Sequence, residues 1–387
     1  MKWDTDKLNV FLDVSTYCNA GCPQCHRTNS KGLGKEDWLP LIQWSVEEFK
    51  TAFPPEVLEN VNRFKFCGTW GDPIMNKDIL EIFEYISKAG PLCLISVDTN
   101  GSIRNEDFWW KLGCMFGTKL AVVFAIDGIN QEMHQTYRRF TDLDKVLDNM
   151  NTLSQTNAIV QSQTILFSHN EGYKDEILEL VKEYGSTFHE FVISDRFHSS
   201  NTRHYTDENG SEFTLTRANN KSLPKGVISG AFKREKVAVE IIETVNKPVE
   251  AKQETIPVKP IEAPKVKVEL IQQRTLDHNI QCRWALPRNE VVVNPDGQVL
   301  PCCFHANQLG GNWPNNKIIS DPAYKYYIEN KNEFNVFKTS IIDIMNSEHF
   351  IKTLPESIKG DNPNPICVKN CSNRIKATHQ LRERHEP

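Results

Sequence analysis

The chain has no run of about 20 consecutive apolar residues, so nothing in its sequence reads as a membrane-spanning helix. Its opening stretch, MKWDTDKLNVFLDVS, lacks a long apolar segment followed by small residues, which leaves no secretory signal there and points to a soluble cytoplasmic protein. An excess of positive charge is missing as well. With a net charge of -5 and a pI near 6.2, the chain has no general basic footprint, and neither nucleic acid nor membrane is an expected partner. No internal repeat occurs. Of the 387 residues, 39% are hydrophobic and spread along most of the chain, enough for a sizeable core in roughly two or three domains.

Cysteine, by contrast, is abundant. Eleven cysteines in a cytosolic chain fit poorly with a disulfide framework, because that compartment keeps thiols reduced, and metal binding or catalysis is the better explanation. Seven fall in three compact groups, at positions 18/22/25, 302/303 and 367/371, while Cys67, Cys93, Cys114 and Cys282 stand alone.

Roughly the first 200 residues alternate β-rich runs with amphipathic helical patterns. The strand candidates are Val10 to Ser15, Arg63 to Cys67, Cys93 to Asp98, Leu120 to Ile126, Val160 to Phe167 and Phe188 to Ser194. Between them lie helix candidates at Ser45 to Phe53, Lys77 to Ala89, Glu106 to Phe116, Leu143 to Ser154 and Tyr173 to Tyr184. Parallel neighbours cannot be joined by tight turns, so this alternation predicts an α/β fold, first as an open or partial barrel and second as a doubly wound sheet. From about residue 200 to 275 the periodicity fades into Pro, Lys, Glu and Val with few large apolar groups, which reads as a linker or insertion, partly disordered. Order is expected to resume near residue 276, with a hairpin signal in EVVVNPDGQVLPCC. The domain reading is therefore 1–199, a linker over 200–275, and 276–387.

The stretch VSTYCNAGCPQCH sets Cys18, Cys22 and Cys25 at the spacing C-x3-C-x2-C. By composition alone, such a triple is expected roughly 0.01 times in a chain of this length. It follows a candidate strand, so it lies at that strand's C-terminal end, where α/β barrels place their chemistry. Three thiolates with His26 could in principle close a zinc site, although Cys25 and His26 are adjacent. Three thiolates on a 4Fe-4S cluster instead leave one iron without a protein ligand, open to a cofactor.

C-N-A-G-C-P-Q-C resembles the signature of the radical S-adenosylmethionine (radical SAM) enzymes. That resemblance implies a partial (β/α)6 barrel and an open iron chelated by the methionine part of S-adenosylmethionine. It also implies reductive cleavage of that cofactor to a 5'-deoxyadenosyl radical that abstracts hydrogen from a small-molecule or peptide substrate, with an electron donor such as flavodoxin or ferredoxin. Cys67-Gly-Thr-Trp-Gly-Asp-Pro73 is similar to the family's Gly-Gly-Glu-Pro segment, with Asp in place of Glu. Here Gly68, Thr69 and Gly71 would allow close backbone approach, and Asp72 would accept from the cofactor ammonium. Asp98-Thr99-Asn100-Gly-Ser102 resembles the family's T-N-G turn. Ala125-Ile-Asp-Gly128 and MHQTYRRF are similar to S-I-D-G and H-x-x-Y-R, which makes Arg138 a candidate partner for a carboxylate. Gln24 departs from the pattern, since an aromatic residue commonly precedes the third cysteine and helps to bind adenine.

The C-terminal cysteines resemble the auxiliary-cluster domains, SPASM or its shorter twitch form, that follow many such barrels as a small α+β iron–sulfur unit, and with only five cysteines present the one-cluster twitch form over 276–387 fits better. The resemblance implies Cys282, Cys302, Cys367 and Cys371 as ligands of a second 4Fe-4S cluster, with Cys303 spare; a four-cysteine zinc site is the competitor. Cys67, Cys93 and Cys114 read as core, Trp109 and Trp110 as packing, and His169, His189 and His198 as structural or solvent-facing. No general acid or base is assignable. The rival class is a noncatalytic zinc or iron–sulfur binding protein. Metal analysis of the anaerobically reconstituted chain should give about eight irons per molecule if both clusters form; a preparation holding only zinc would rule the proposal out.

Overall fold

A computed structural model describes residues 1–194, 196–197, 199–219, 229–231, 280–309, 322–359 and 363–372. Its first six strands are β1 (Leu8–Leu12), β2 (Val61–Phe66), β3 (Leu94–Thr99), β4 (Leu120–Ala125), β5 (Ile159–Leu166) and β6 (Phe188–Ile193). They pair in parallel and in chain order. The crossovers are α1 (Val46–Ala52) with α2 (Pro55–Leu58), then α3 (Ile79–Ala89), α4 (Glu106–Phe116), α5 (Gln131–Gln135) with α6 (Leu143–Ser154), and α7 (Lys174–Glu183). A doubly wound sheet would reverse its order at a switch point. This one does not, so the partial-barrel reading is the correct one, and the sheet stays open among the described residues.

Local chemistry explains where the helices begin. Ser45 and Glu48 form a reciprocal capping box at α1, and Asn105, Asn130 and Asp142 each accept a backbone N–H at the starts of α4, α5 and α6. One face of the sheet, with Val10, Leu12, Phe64, Phe66, Val97, Val122 and Phe124 fully buried, is covered by the helices. Edge-on aromatic contacts lock the two layers, Phe53 on Phe64 at 4.9 Å and Phe66 on Phe83 at 5.0 Å. On the opposite face, strand register aligns Phe11 with Lys65 and Lys65 with Ser96, and Gln163 with Glu190. That face carries polar pairs among apolar residues such as Phe11 and Val123: Lys65 Nζ lies 3.0 Å from Asp98 Oδ2, and Gln163 Nε2 donates to Glu190 at 2.6 Å.

Beyond β6 the structure departs from the expected plan. Residues within the predicted linker form a hairpin, β7 (Thr202–Thr206) and β8 (Glu212–Thr216), and β9 (Ser229–Ala231) adds antiparallel to β6. Asn209-Gly210 is a hairpin signal, but the flanking runs are polar and their few apolar residues find partners elsewhere in the fold. The remainder of the predicted linker lies outside the described residues. The EVVVNPDGQVL hairpin forms as β10 (Glu290–Val293) and β11 (Val299–Leu300), turning at Gly297 with φ +83°. β10 pairs parallel with β1, so the nine-stranded sheet runs continuously across the boundary expected near residue 276. α8 (Cys303–Leu309), α9 (Pro322–Glu329), α10 (Ile341–Met345), α11 (Leu354–Ser357) and α12 (Pro365–Cys371) complete the C-terminal part. It is fastened to the barrel by Trp44, whose indole donates to Pro295 O at 2.7 Å and packs on Phe337 at 4.6 Å.

Two readings of α4 need correction. Trp109 is fully buried as expected, but its neighbour Trp110 is 48% exposed and Cys114 is exposed. The helix buries the stripe Phe108, Trp109, Leu112, Gly113 and Phe116, and at about 100° per residue Trp110 and Cys114 fall outside it. Phe83→Ala should therefore cost about 3–5 kcal/mol in denaturant unfolding, whereas Trp110→Ala should stay within about 0.5 kcal/mol of the parent.

Candidate functional site

The loop after β1 carries Cys18, Cys22 and Cys25, and the loops after β2 and β3 brace it. Asp13, just past β1, accepts from the backbone N–H groups of Thr69 at 3.0 Å and Trp70 at 3.5 Å. Asp72 N donates to Tyr17 O at 2.7 Å, and a Cβ on Gly71 would sit 2.3 Å from Ser15 O, so only glycine permits this approach. Asp72 is the hub. Its buried carboxylate accepts from Ile74 N, Thr99 Oγ1, Asn100 N and Asn100 Nδ2, all at 2.7 to 3.0 Å. A carboxylate has about four acceptor positions, and these are filled from within the protein. The sequence assigned Asp72 to a cofactor ammonium; in the structure it holds the G-T-W-G-D-P and T-N-G turns together. Gly68 is exposed and Thr69 half-buried on the open side of the same loop.

N–H donors reach two of the three sulfurs. Ala20 N and Asn100 Nδ2 approach Cys18 Sγ at 3.4 and 3.8 Å, and Arg138 Nη1 approaches Cys22 Sγ at 3.7 Å. Arg138 also donates through Nε to Asp127 Oδ2 at 2.5 Å, so its guanidinium bridges the A-I-D-G turn and the cysteine loop. Burial pushes the Cys18 and Cys22 thiols up, Cys22 to about 11, with Arg138 opposing the rise at Cys22. Buried sulfurs that repel one another's charge need a cation between them, and the irons of a cluster would provide it. Among the described residues no group of three or more His, Cys, Asp and Glu side chains is placed to hold a single metal ion.

Sequence reasoning missed several members of this neighbourhood. Asp13, buried among apolar strand residues, has its carboxyl raised to about 7 by that burial. The visible signal was an acid closing an apolar run, FLDVS. Arg27, two residues past the third cysteine, is buried and donates to Ala20 O at 3.2 Å. His134 receives Asp127 N on Nδ1 at 3.2 Å and contacts Thr141 Oγ1 at 3.0 Å; burial lowers it to about 4, so it stands neutral beneath the Arg138 pair. Gln24 is buried rather than exposed, its Oε1 accepting from Ser194 Oγ at 2.5 Å and its backbone O from Arg196 at 2.6 Å, which ties the cysteine loop to the end of β6. His189 is a buried partner of Ser162 at 2.8 Å, His169 stacks on Phe167, and His198 lies outside the described residues.

The C-terminal thiols also converge. Cys367 and Cys371 lie four residues apart on α12, hence on one face, and Asn364 caps that helix through Ile366 N and Cys367 N. The bridge between Ile280 and Ser372 brings Cys282 alongside, with Gln281 N donating to Cys371 O at 3.2 Å. Cys302 feels the charges of Cys303, Cys367 and Cys282, and Cys371 that of Cys282; burial raises both thiols. Cys303, expected as a spare, faces Cys371 and is raised to about 12 mainly by burial, so five thiols share this region.

Residues 282–372 match the SPASM iron-sulfur cluster-binding domain. A protein described as "Probable GTP 3',8-cyclase" from Methanocaldococcus jannaschii is 26% identical over 147 residues, 38% of this chain and 45% of that protein. The chain spans about half the length of the curated relatives it matches. Among solved structures, Streptococcus suis SuiB aligns with TM-score 0.48 at 10% identity, covering 92% of this chain and 68% of that one. BtrN in complex with AdoMet and 2-DOIA aligns with TM-score 0.44 at 14% identity, covering 96% and 95%.

Asp13 generates a pH prediction. Its folded carboxyl holds a proton that the unfolded chain releases near pH 4, so stability should fall as pH rises from about 4 to about 7, by up to about 1.4 kcal/mol per pH unit from this group. Asp13→Asn keeps a carbonyl acceptor for Thr69 and Trp70 and removes that slope. Urea titrations of both chains at about pH 5 and about pH 7.5 should show the variant gaining relative stability at the higher pH; an unchanged difference would exclude this origin.

Proposed function

We propose that this chain, a protein of the radical SAM type with a SPASM iron–sulfur domain, is an enzyme that holds a 4Fe-4S cluster on Cys18, Cys22 and Cys25 and S-adenosylmethionine beside it. When bound, the two together supply reductive cleavage of the sulfonium and, through it, hydrogen abstraction from a substrate. The observation that carries the reading is the bracing of the three-cysteine loop by Asp13, Asp72 and the Asp127–Arg138 pair at the C-terminal ends of the parallel strands.

Each brace has a distinct task. Asp72 fixes Thr99 and Asn100, so that Asn100 Nδ2 can reach both Asn19 Oδ1 at 2.9 Å and Cys18 Sγ. Arg138 brings a positive charge to Cys22 that opposes the rise burial causes there, and Asp127 partly offsets it. Gly68 offers its backbone on the exposed side, where a cofactor's polar groups could approach, and Thr69 beside it gives its N–H to Asp13. Cys282, Cys302, Cys367 and Cys371 would hold a second 4Fe-4S cluster, with Cys303 adjacent. The polar pairs on the inner face, Lys65–Asp98 and Gln163–Glu190, suit a substrate with polar groups, a small molecule or a peptide, that is oxidised or otherwise modified. An electron donor such as flavodoxin or ferredoxin would complete the system.

The test is cleavage of S-adenosylmethionine by the reconstituted, reduced chain, followed as methionine and 5'-deoxyadenosine. Cys22→Ala should reduce it to the background of reductant alone, while Cys114→Ala, an exposed site on α4, should leave it unchanged. Undiminished cleavage by the Cys22 variant would refute the assignment.

A further inference from the structure

The hairpin β7–β8 lies over the cysteine loop rather than beside it. Its edge continues into the segment that follows Cys25, with Gly32 N donating to Thr206 O at 2.8 Å and Thr206 N to Ser30 O at 3.1 Å. Its other end is tied back to the barrel, where Ser168 N donates to Thr216 O at 3.0 Å and Phe167 bridges Arg217. Between these anchors the hairpin turns Tyr205 and Leu215 inward. They join Ala20, Cys22, Leu33, Tyr137, Phe167 and Phe197 in a buried apolar cluster separate from the main core, and Cys18, Cys25 and Phe213 pack against it. The rings are in contact: Tyr137 on Phe167 at 4.7 Å, Phe167 on Phe197 at 6.0 Å and Tyr205 on Phe213 at 5.6 Å. Arg139, whose carbonyl accepts Gly21 N within the cysteine loop, lays its guanidinium over Phe213 at 4.3 Å. The barrel core proper shares none of these residues, so this apolar layer has the cysteine loop as its principal client.

We infer that the β7–β8 hairpin is the outer wall of the three-cysteine site: Tyr205, Leu215 and Phe213 seal the sulfurs from water and dissolved oxygen, and position the loop by packing on Cys22. The inference rests on the cluster reading above. Placing apolar side chains against a cluster controls both its solvent access and its electrostatics, because a surround without water makes added negative charge costlier. A donor that must be strongly reducing gains from such a wall. The hairpin contributes no ligand and needs none.

Two variants of the full chain test it: replacement of residues 202–216 by a short Gly/Ser linker, and Tyr205→Ser, which leaves the ladder of the hairpin intact. After reconstitution, reduced samples carrying S-adenosylmethionine are exposed to air for timed intervals, and the cofactor-responsive electron paramagnetic resonance signal is followed. Both variants should lose that signal several-fold faster than the parent, the linker variant most, and should show a higher midpoint potential. In the metal-free chain, alkylation of Cys22 by iodoacetamide should accelerate in the same order, a readout independent of any cluster. Parent-like lifetimes and alkylation in both variants, with iron bound, would overturn the inference and leave the function reading intact. Absence of iron in the unaltered chain would overturn both.

Discussion

Three loops from three strands meet on one buried carboxylate. Asp72 accepts from its own turn at Ile74 and from Thr99 and Asn100 on the next strand's turn, while its backbone N–H anchors it to Tyr17 at the entrance to the cysteine loop. Because the group is removed from water, its pKa rises, and only the ring of donors keeps the charged form affordable. Remove that centre and the cysteine loop, the glycine-bearing loop and the T-N-G turn have no common reference. Asp13 and the Asp127–Arg138 pair repeat the device on either side. The architecture thus uses buried acids as scaffolding, and leaves the backbone and sulfurs to face a ligand.

A similar logic governs the sulfurs. Desolvation pushes the Cys18, Cys22, Cys302 and Cys371 thiols up, and protein cations compensate only partly, through Arg138 at Cys22 and Arg283 at Cys371. The raised sulfurs are stable as neutral thiols, and it is the thiolate form that lacks a compensating charge. The fold supplies burial and N–H donors, and the missing positive charge is left for the metal to bring.

Much of this was legible in the sequence, and the reasons are physical. Helices α4 and α6 begin and end where their periodicity does, because the Asn105 and Asp142 caps coincide with the first apolar turn. The cysteine spacing and the loops at strand ends were readable because glycine and cysteine have few other uses at such positions. What stayed hidden was tertiary. Asp72 and Arg138 read from the sequence as cofactor candidates; that they also bind Asn100 and Asp127, 28 and 11 positions away, could be identified only in three dimensions. The β7–β8 hairpin was taken for linker because its inward residues, Tyr205 and Leu215, bury against a surface made by other segments.

The pairing of β10 with β1 has a consequence for how the chain is made. Trp3 Nε1 donates to Glu290 O, a closure across 287 positions, and the same seam seats the strand that leads into the cysteine loop. At ribosomal speeds of roughly 5–20 residues per second, β1 waits between about a quarter of a minute and a minute for its outer neighbour. During that interval its free edge is a hydrogen-bonding template open to any other nascent strand. The strand that leads into the cysteine loop thus completes its pairing only with a segment that supplies none of that loop's three cysteines.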